Sequence, residues 1–167
     1  MNKVRLGKEE DRAYIAASMF KYLLARNNFN KEVGKLFNPY FDSLMESHQV
    51  KVIYNTEAPE IIMGYCVYKE NDEKSVNIHF LYTRYSFRGC GLATLLLDAV
   101  TSDYDSFFYF LSTPRIDGII LETNEKKEVC PTRSKLISKA NRIKTPEMLL
   151  DFSSKATVKN KTPPKST

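Results

Sequence analysis

The chain has 167 residues, about one domain's length and enough to bury a sizeable core without disulfides or metals. Charged residues at 27% and hydrophobic ones at 43% fit a globular rather than a disordered chain, and no apolar run is long enough to span a membrane. The net charge of +5 suggests nucleic acid, but Lys155, Lys159, Lys161 and Lys165 all fall in the acid-free last 15 residues, and without them residues 1–152 carry only +1. The body is therefore nearly neutral, and nucleic acid is not the expected partner. Three cysteines, Cys66, Cys90 and Cys130, lack metal-type spacing, and the only histidines are His48 and His79. A reduced, cytoplasmic setting without structural zinc is expected, and no apolar signal region follows the N-terminus.

Residues 4–6 read as a short strand. Residues 8–25 read as a helix, with Tyr14, Ile15, Met19, Tyr22 and Leu23 in its apolar stripe, ended by Asn27 and Asn28. Residues 31–45 form a weaker helical segment, in which Pro39 predicts a break or kink. Residues 49–54 are a strand, and Asn55 to Pro59 a turn. Residues 61–68 are the next strand, with Gly64 marking a bulge or a close backbone approach. Residues 69–74 are a charged hairpin connection, and 76–82 a further strand. Residues 92–100 are helical. The aromatic run 107–111 reads as more of that helix, or a second helix stopped by Pro114. Residues 118–123 read as a strand, 131–141 as a helix opened by Pro131, and 148–152 as a last strand. The tail, 153–167, is rich in Ser, Thr, Lys and Pro and is expected to lack structure. The outcome is one α/β domain over residues 1–152, with a mixed, mostly antiparallel central sheet flanked by helices.

Residues 81–97, LYTRYSFRGCGLATLLL, carry the most information. They read as a strand, a polar turn, a glycine-containing loop and the start of an apolar helix. Such a loop aims several backbone N–H groups at one point, where the helix dipole adds roughly half a positive charge. A phosphate or pyrophosphate is the natural occupant. There is no Gly-Lys-Ser/Thr, as a nucleotide loop requires, and no third glycine, as a dinucleotide fingerprint requires.

With Arg88, Gly91 and Ala93 spaced as Arg-x-x-Gly-x-Ala, and Gly89 in its common place, this segment resembles motif A of the GNAT superfamily, the Gcn5-related N-acetyltransferases. The element order agrees with that family over roughly residues 3–152. The resemblance implies a GNAT-like fold and acetyl-CoA as cosubstrate. It places the pyrophosphate on the loop formed by Arg88, Gly89, Cys90, Gly91, Leu92 and Ala93, with the Thr94 hydroxyl added. It sets the main chain of Leu81, Tyr82 and Thr83 beside the pantetheine arm, as in strand addition.

Acetyl transfer requires a base for the amine, polarisation of the thioester and a proton for the leaving thiolate. Strand alternation puts His79 on one face with Leu81 and Thr83. Its ordinary pKa of about 6.5 suits a general base. Glu122, ending the strand 118–123, is a second candidate. The family's usual acid is a tyrosine in the helix after that strand, but the helix 131–141 has none, and Ser138 falls nearest. Cys90 reads most simply as a tolerated loop residue and Cys66 as a small buried one. The first two helices offer an aromatic acceptor side: Tyr22, Asn27, Asn28, Phe29, Phe37, Tyr40 and Phe41.

An N-acetyltransferase acting by direct attack of an amine, on a protein or a small molecule, is the first reading. A catalytically impaired protein-binding module of the same fold is the second. It rests on the missing tyrosine and on the apolar segment 105–111, which could serve a homodimer or another protein if exposed.

Overall fold

The computed structural model describes residues 1–26, 31–110 and 139–143. Its elements are β1 (Asn2–Leu6), α1 (Arg12–Arg26), α2 (Lys31–Ser47), β2 (Gln49–Asn55), β3 (Ala58–Asp72), β4 (Ser75–Thr83), α3 (Leu92–Thr101), β5 (Ser106–Phe110) and β6 (Ala140–Ile143). The strands form one sheet in sequence order from β1 to β6. The pairs from β1 to β4 are antiparallel, and β4–β5 and β5–β6 are parallel. The mixed sheet flanked by helices agrees with the sequence-based expectation.

Two apolar layers cover the two faces. Ile15, Met19 and Leu23 of α1 and Phe37, Phe41 and Leu44 of α2 recur at helical spacing and meet Val52, Tyr65, Val67 and Phe80 on one face. On the other, Leu92, Leu96, Leu97 and Val100 of α3 meet Cys66, Ile78, Leu81 and Phe107. A short 3-10 turn, Glu9–Asp11, introduces α1. Its Asp11 is nearly buried and accepts both guanidinium nitrogens of Arg5, at 2.6 and 3.0 Å, and the Lys8 N–H at 2.7 Å. Burial pushes this carboxyl up, but the Arg5 and Lys8 bonds outweigh it and hold its pKa below the usual range.

Three expectations change. Helix α2 runs unbroken through Pro39, which lies on its exposed side, where water can replace the lost N–H bond. The run from Phe107 is strand β5 and not helix: it lies between parallel neighbours, and Phe107 and Tyr109 are buried. Phe108, half-buried on the opposite face, is aromatic as well, so the sequence lacks the apolar–polar alternation that marks half-buried strands. Asn141 belongs to β6, so the helix read over 131–141 does not reach it. The segments 118–123 and 148–152 and the tail lie outside the described residues. Lys139 tethers the C-terminal end of α3, donating to the carbonyls of Thr101 at 3.1 Å and Ser102 at 3.5 Å and to that of Tyr104.

Candidate functional site

The site is built where β4 and β5 part. Residues Ser75 to Ile78 of β4 pair with Ser106 to Tyr109, and the ladder stops there. From Phe80 to Thr83, β4 pairs only with β3, so among the described residues its other edge faces a gap. Backbone groups alternate sides along a strand. Arg84 N–H donates to Met63 on β3, and Tyr82 sits opposite Tyr65, so Tyr82 turns its main chain to β3. Leu81 and Thr83 then present theirs to the gap, and the Thr83 carbonyl accepts from Arg88 Nε at 3.3 Å. Of the three main chains expected along the pantetheine arm, only those of Leu81 and Thr83 face this way.

The gap leads to the loop before α3. Gly89 (φ 82°) and Gly91 (φ 73°) take the left-handed conformation that side chains disfavour. A Cβ at either would meet nothing within 4 Å, so both border open space. Gly91 is the N-cap of α3, and its carbonyl receives Leu95 N–H at 3.0 Å. The N–H groups of Leu92, Ala93 and Thr94 precede the first helical bond and remain orphan donors. Arg88 and Arg84 add positive charge. Their guanidinium carbons lie 5.0 and 6.0 Å from the ring centres of Tyr85 and Phe87, and neither forms an ion pair among the described residues. Cys90 is exposed, and its thiol has only a long contact of 3.9 Å to the Arg88 carbonyl. The loop thus presents N–H groups and positive charge to open space, an arrangement suited to an anion such as pyrophosphate. The Thr83 hydroxyl is buried without a partner among the described residues, at the same edge.

Gly64 lets the strands close behind this edge: a Cβ there would lie 2.6 Å from the Tyr82 carbonyl oxygen. The close approach expected at this glycine is present.

His79 is placed otherwise than alternation suggests. Val67 pairs with Phe80 and Tyr68 with Ile78, so His79 is the extra residue of a bulge. The bulge puts Ile78 and Leu81 on one face and leaves His79 on the face of α1 and α2, where its ring meets that of His48 at 4.1 Å between centres. Burial first, then His48 and Lys69, lower the His79 pKa to about 3. Its imidazole is therefore neutral at pH 7 and a much weaker base than an ordinary histidine. His48 is lowered too, mainly by burial. Its place was legible in part, since residues 48, 50 and 52 alternate with Val50 and Val52 in the helix-covered layer.

Tyr14 of α1 stands over Tyr82 on this face. Burial, with Tyr82 beside it, raises the Tyr14 hydroxyl to about 12, against the pull of Arg84. Phe37 and Phe41 of the expected acceptor set are buried core, packed ring to ring at 5.7 Å, and Tyr22 packs on Phe80 at 5.1 Å. Asn27, Asn28 and Phe29, and the proposed Glu122 and Ser138, lie outside the described residues. Since β5 is Ser106–Phe110, the strand beside β4 is not the one that Glu122 was expected to end. Among the described residues no helix is long and apolar enough to cross a membrane.

The sequence matches the acetyltransferase (GNAT) family over residues 17–108. No curated protein matches it. Among solved structures, a Pyrococcus furiosus protein described as an acetyl transferase aligns with a TM-score of 0.57 and 16% identity, over 78% of this chain and 95% of its own. The apo form of YjaB from Escherichia coli aligns with a TM-score of 0.53 and 15% identity, over 71% and 78%. A Desulfovibrio desulfuricans protein described as a GNAT acetyltransferase aligns less well, with a TM-score of 0.43 and 14% identity, and this chain spans 65% of its length. At these identities the likeness is one of fold.

Proposed function

The chain belongs to the acetyltransferase (GNAT) family, and from that membership we propose that it is an N-acetyltransferase whose acetyl-CoA lies in the gap between β4 and β5. The open edge of β4, running into a loop with two left-handed glycines at a helix N-terminus, carries this reading. The cosubstrate supplies an activated acetyl group as a thioester. Leu81 and Thr83 hold its extended arm by main-chain bonds, which tolerate variation in their side chains. Gly89, Cys90, Gly91, Leu92 and Ala93 offer N–H groups to the pyrophosphate, with the Thr94 hydroxyl and the Arg88 charge beside them.

The reacting carbonyl then lies near the bulge, on the side away from the loop. His79 is the described residue best placed there to take a proton from an incoming ammonium. The free amine forms a C–N bond as the C–S bond breaks. One of the two N–H protons of that amine, acidified as the attacking nitrogen becomes positively charged, goes to the departing thiolate and the other stays on the amide, so no tyrosine is required for the proton count. The acceptor is an amine of a protein or a small molecule, and the protein acts in the cytoplasm as a soluble enzyme.

Calorimetry with acetyl-CoA, followed by release of CoA thiol with a panel of amines, tests the reading. Binding is expected to be micromolar and to be lost in Gly91→Glu, which puts a charged side chain into the phosphate space. Binding without release for any protein or small amine would leave the protein-binding module as the better account. The segment invoked for that alternative gives it little help, because Phe107 and Tyr109 are buried in the sheet.

A further inference from the structure

The turn between β4 and the glycine loop carries two aromatic rings with different fates. It is a short 3-10 turn, Tyr85–Phe87, closed by the Phe87 N–H to the Arg84 carbonyl at 3.0 Å and the Arg88 N–H to the Tyr85 carbonyl at 3.2 Å. Phe87 tucks against the apolar layer under α3. Tyr85 stays outside, with 79% of its surface exposed. A single exposed aromatic is ordinary, but this ring has a fixed cation on one side. The Arg88 guanidinium carbon lies 5.0 Å from its centre. Arg88 is itself held at both ends, by its main-chain bond to Tyr85 and by Nε donating to the Thr83 carbonyl at 3.3 Å.

One face of Tyr85 is thus covered, and at 79% exposure the other lies in water. The guanidinium is drawn to the electron-rich face of the ring and pulls density towards itself. The free face is then a ready partner for a flat, electron-rich ring in offset stacking. The neighbouring loop indicates which ring that is. Arg88 directly precedes Gly89, so the platform adjoins the loop proposed for the pyrophosphate. In acetyl-CoA the pyrophosphate joins the pantetheine arm to an adenosine 3′-phosphate. With the arm along Leu81 and Thr83, the adenosine leaves from the solvent side of the loop, one ribose from the phosphates. Arg84 stands at the same turn, its guanidinium carbon 6.0 Å from the Phe87 ring centre. Neither arginine forms an ion pair among the described residues, so both can face the phosphates of the nucleotide.

We propose that Tyr85, braced from behind by Arg88, stacks on the adenine of acetyl-CoA and makes the nucleoside end a recognised part of the cosubstrate. The inference rests on the cosubstrate site proposed above and deepens it. Stacking accepts any base with a π-face, so the platform supplies affinity rather than a choice among bases. What it discriminates is the carrier of the acetyl group. Acetyl-4′-phosphopantetheine shares the thioester, the arm and one phosphate with acetyl-CoA but has no base, and it forgoes the stack. The 3-10 turn and the two bonds to Arg88 fix the platform before the ligand arrives, so little freedom is lost on binding.

Calorimetry on the full chain, with acetyl-CoA and acetyl-4′-phosphopantetheine as the two ligands, tests the platform. Tyr85→Leu should weaken acetyl-CoA about 10-fold, the scale of one lost base–aromatic stack, and leave acetyl-4′-phosphopantetheine unchanged. Tyr85→Trp keeps a ring and should bind acetyl-CoA at least as well as the wild type. Because the side chain is exposed, thermal melts of both variants should match the wild type. In NMR spectra of the wild-type complex the adenine H2 and H8 protons should move upfield through the ring current of Tyr85, and Tyr85→Leu should remove most of that shift. An equal loss for both ligands, no loss for either, or an adenine shift that persists in Tyr85→Leu would each overturn the platform and leave the cosubstrate site standing. A folded wild-type chain that binds neither ligand would overturn the cosubstrate site, and the platform with it.

Discussion

Gly64→Ala separates the role of strand spacing from that of the cosubstrate contacts themselves. The added methyl touches no part of the proposed ligand. It would sit 2.6 Å from the Tyr82 carbonyl oxygen, 3.2 Å from Leu96 Cδ1 and 3.3 Å from the Thr83 Cα. Carbon–oxygen contacts between strands settle at about 3.3–3.6 Å, so β3 and β4 must part by roughly 0.7 Å at this point. The oxygen belongs to backbone and cannot swing aside as a side-chain tip would. Overpacking of this kind costs about 1–3 kcal/mol of stability. The displacement carries Leu81 and Thr83 into the gap, and positioning errors near 1 Å can cost about 100-fold in rate. Calorimetry should show acetyl-CoA binding weakened at least about 10-fold, and a thermal melt should record the lost stability. Gly34→Ala is the control: in the first turn of α2 its Cβ would meet only Phe20 among the described residues, at 3.7 Å, and the change should stabilise by up to about 0.5 kcal/mol with binding unaltered. Wild-type affinity in a folded Gly64→Ala would refute the claim that the spacing of β4 sets the binding edge.

Gly91→Ala should lose about 1–2 kcal/mol through its left-handed conformation, and more in acetyl-CoA affinity than in affinity for acetyl-pantetheine, which lacks the pyrophosphate; calorimetry with both ligands checks this. Arg88→Gln should likewise weaken acetyl-CoA alone and flatten the salt dependence of its binding. Asp11→Asn should cost about 2–3 kcal/mol at pH 7 in chemical denaturation, because a charged partner of Arg5 is lost in a nearly buried place. The wild-type advantage is present above the unfolded carboxyl pKa and should vanish as pH falls through the lower folded value. His79 acts in the same direction from a higher pH: its folded pKa of about 3 lies below the unfolded value of about 6.5, so stability falls as pH drops from about 6.5 towards 3, and His79→Phe should remove that loss in a series of melts.

What the sequence disclosed was local, and what it hid depended on neighbours. The strand, loop and helix from Leu81 to Leu97 were legible because glycine spacing and an apolar helix are written in consecutive residues. The close approach at Gly64 was legible too, as a glycine interrupting an apolar strand. The bulge at His79 was not: Phe80, Leu81 and Tyr82 fit either face, and only pairing with β3 reveals the extra residue. Strand β5 was mistaken for helix because aromatic residues stand at its buried positions, Phe107 and Tyr109, and at half-buried Phe108 alike, which erases the period that would have marked it. The helical period of α2 outweighed Pro39 because the proline falls on its water-facing side. Lys139 could not be foreseen as the tether of α3, since the contact joins residues 35 to 38 apart in the chain.

The parting of β4 and β5 also bears on how the protein keeps itself from sticking to others. An unpaired strand edge invites any extended peptide, and proteins normally cover, shorten or charge such edges. Here the stretch without a β5 partner among the described residues is short, Phe80 to Thr83, with β5 joined at one end and the loop before α3 at the other. A foreign strand, with side chains alternating on both sides, would have to pry β5 from β4 to enter, whereas a thin arm without side chains can slide in. If acetyl-CoA takes this slot as proposed, the slot also works as a filter against aggregation, and its occupancy is expected to close the edge left open among the described residues.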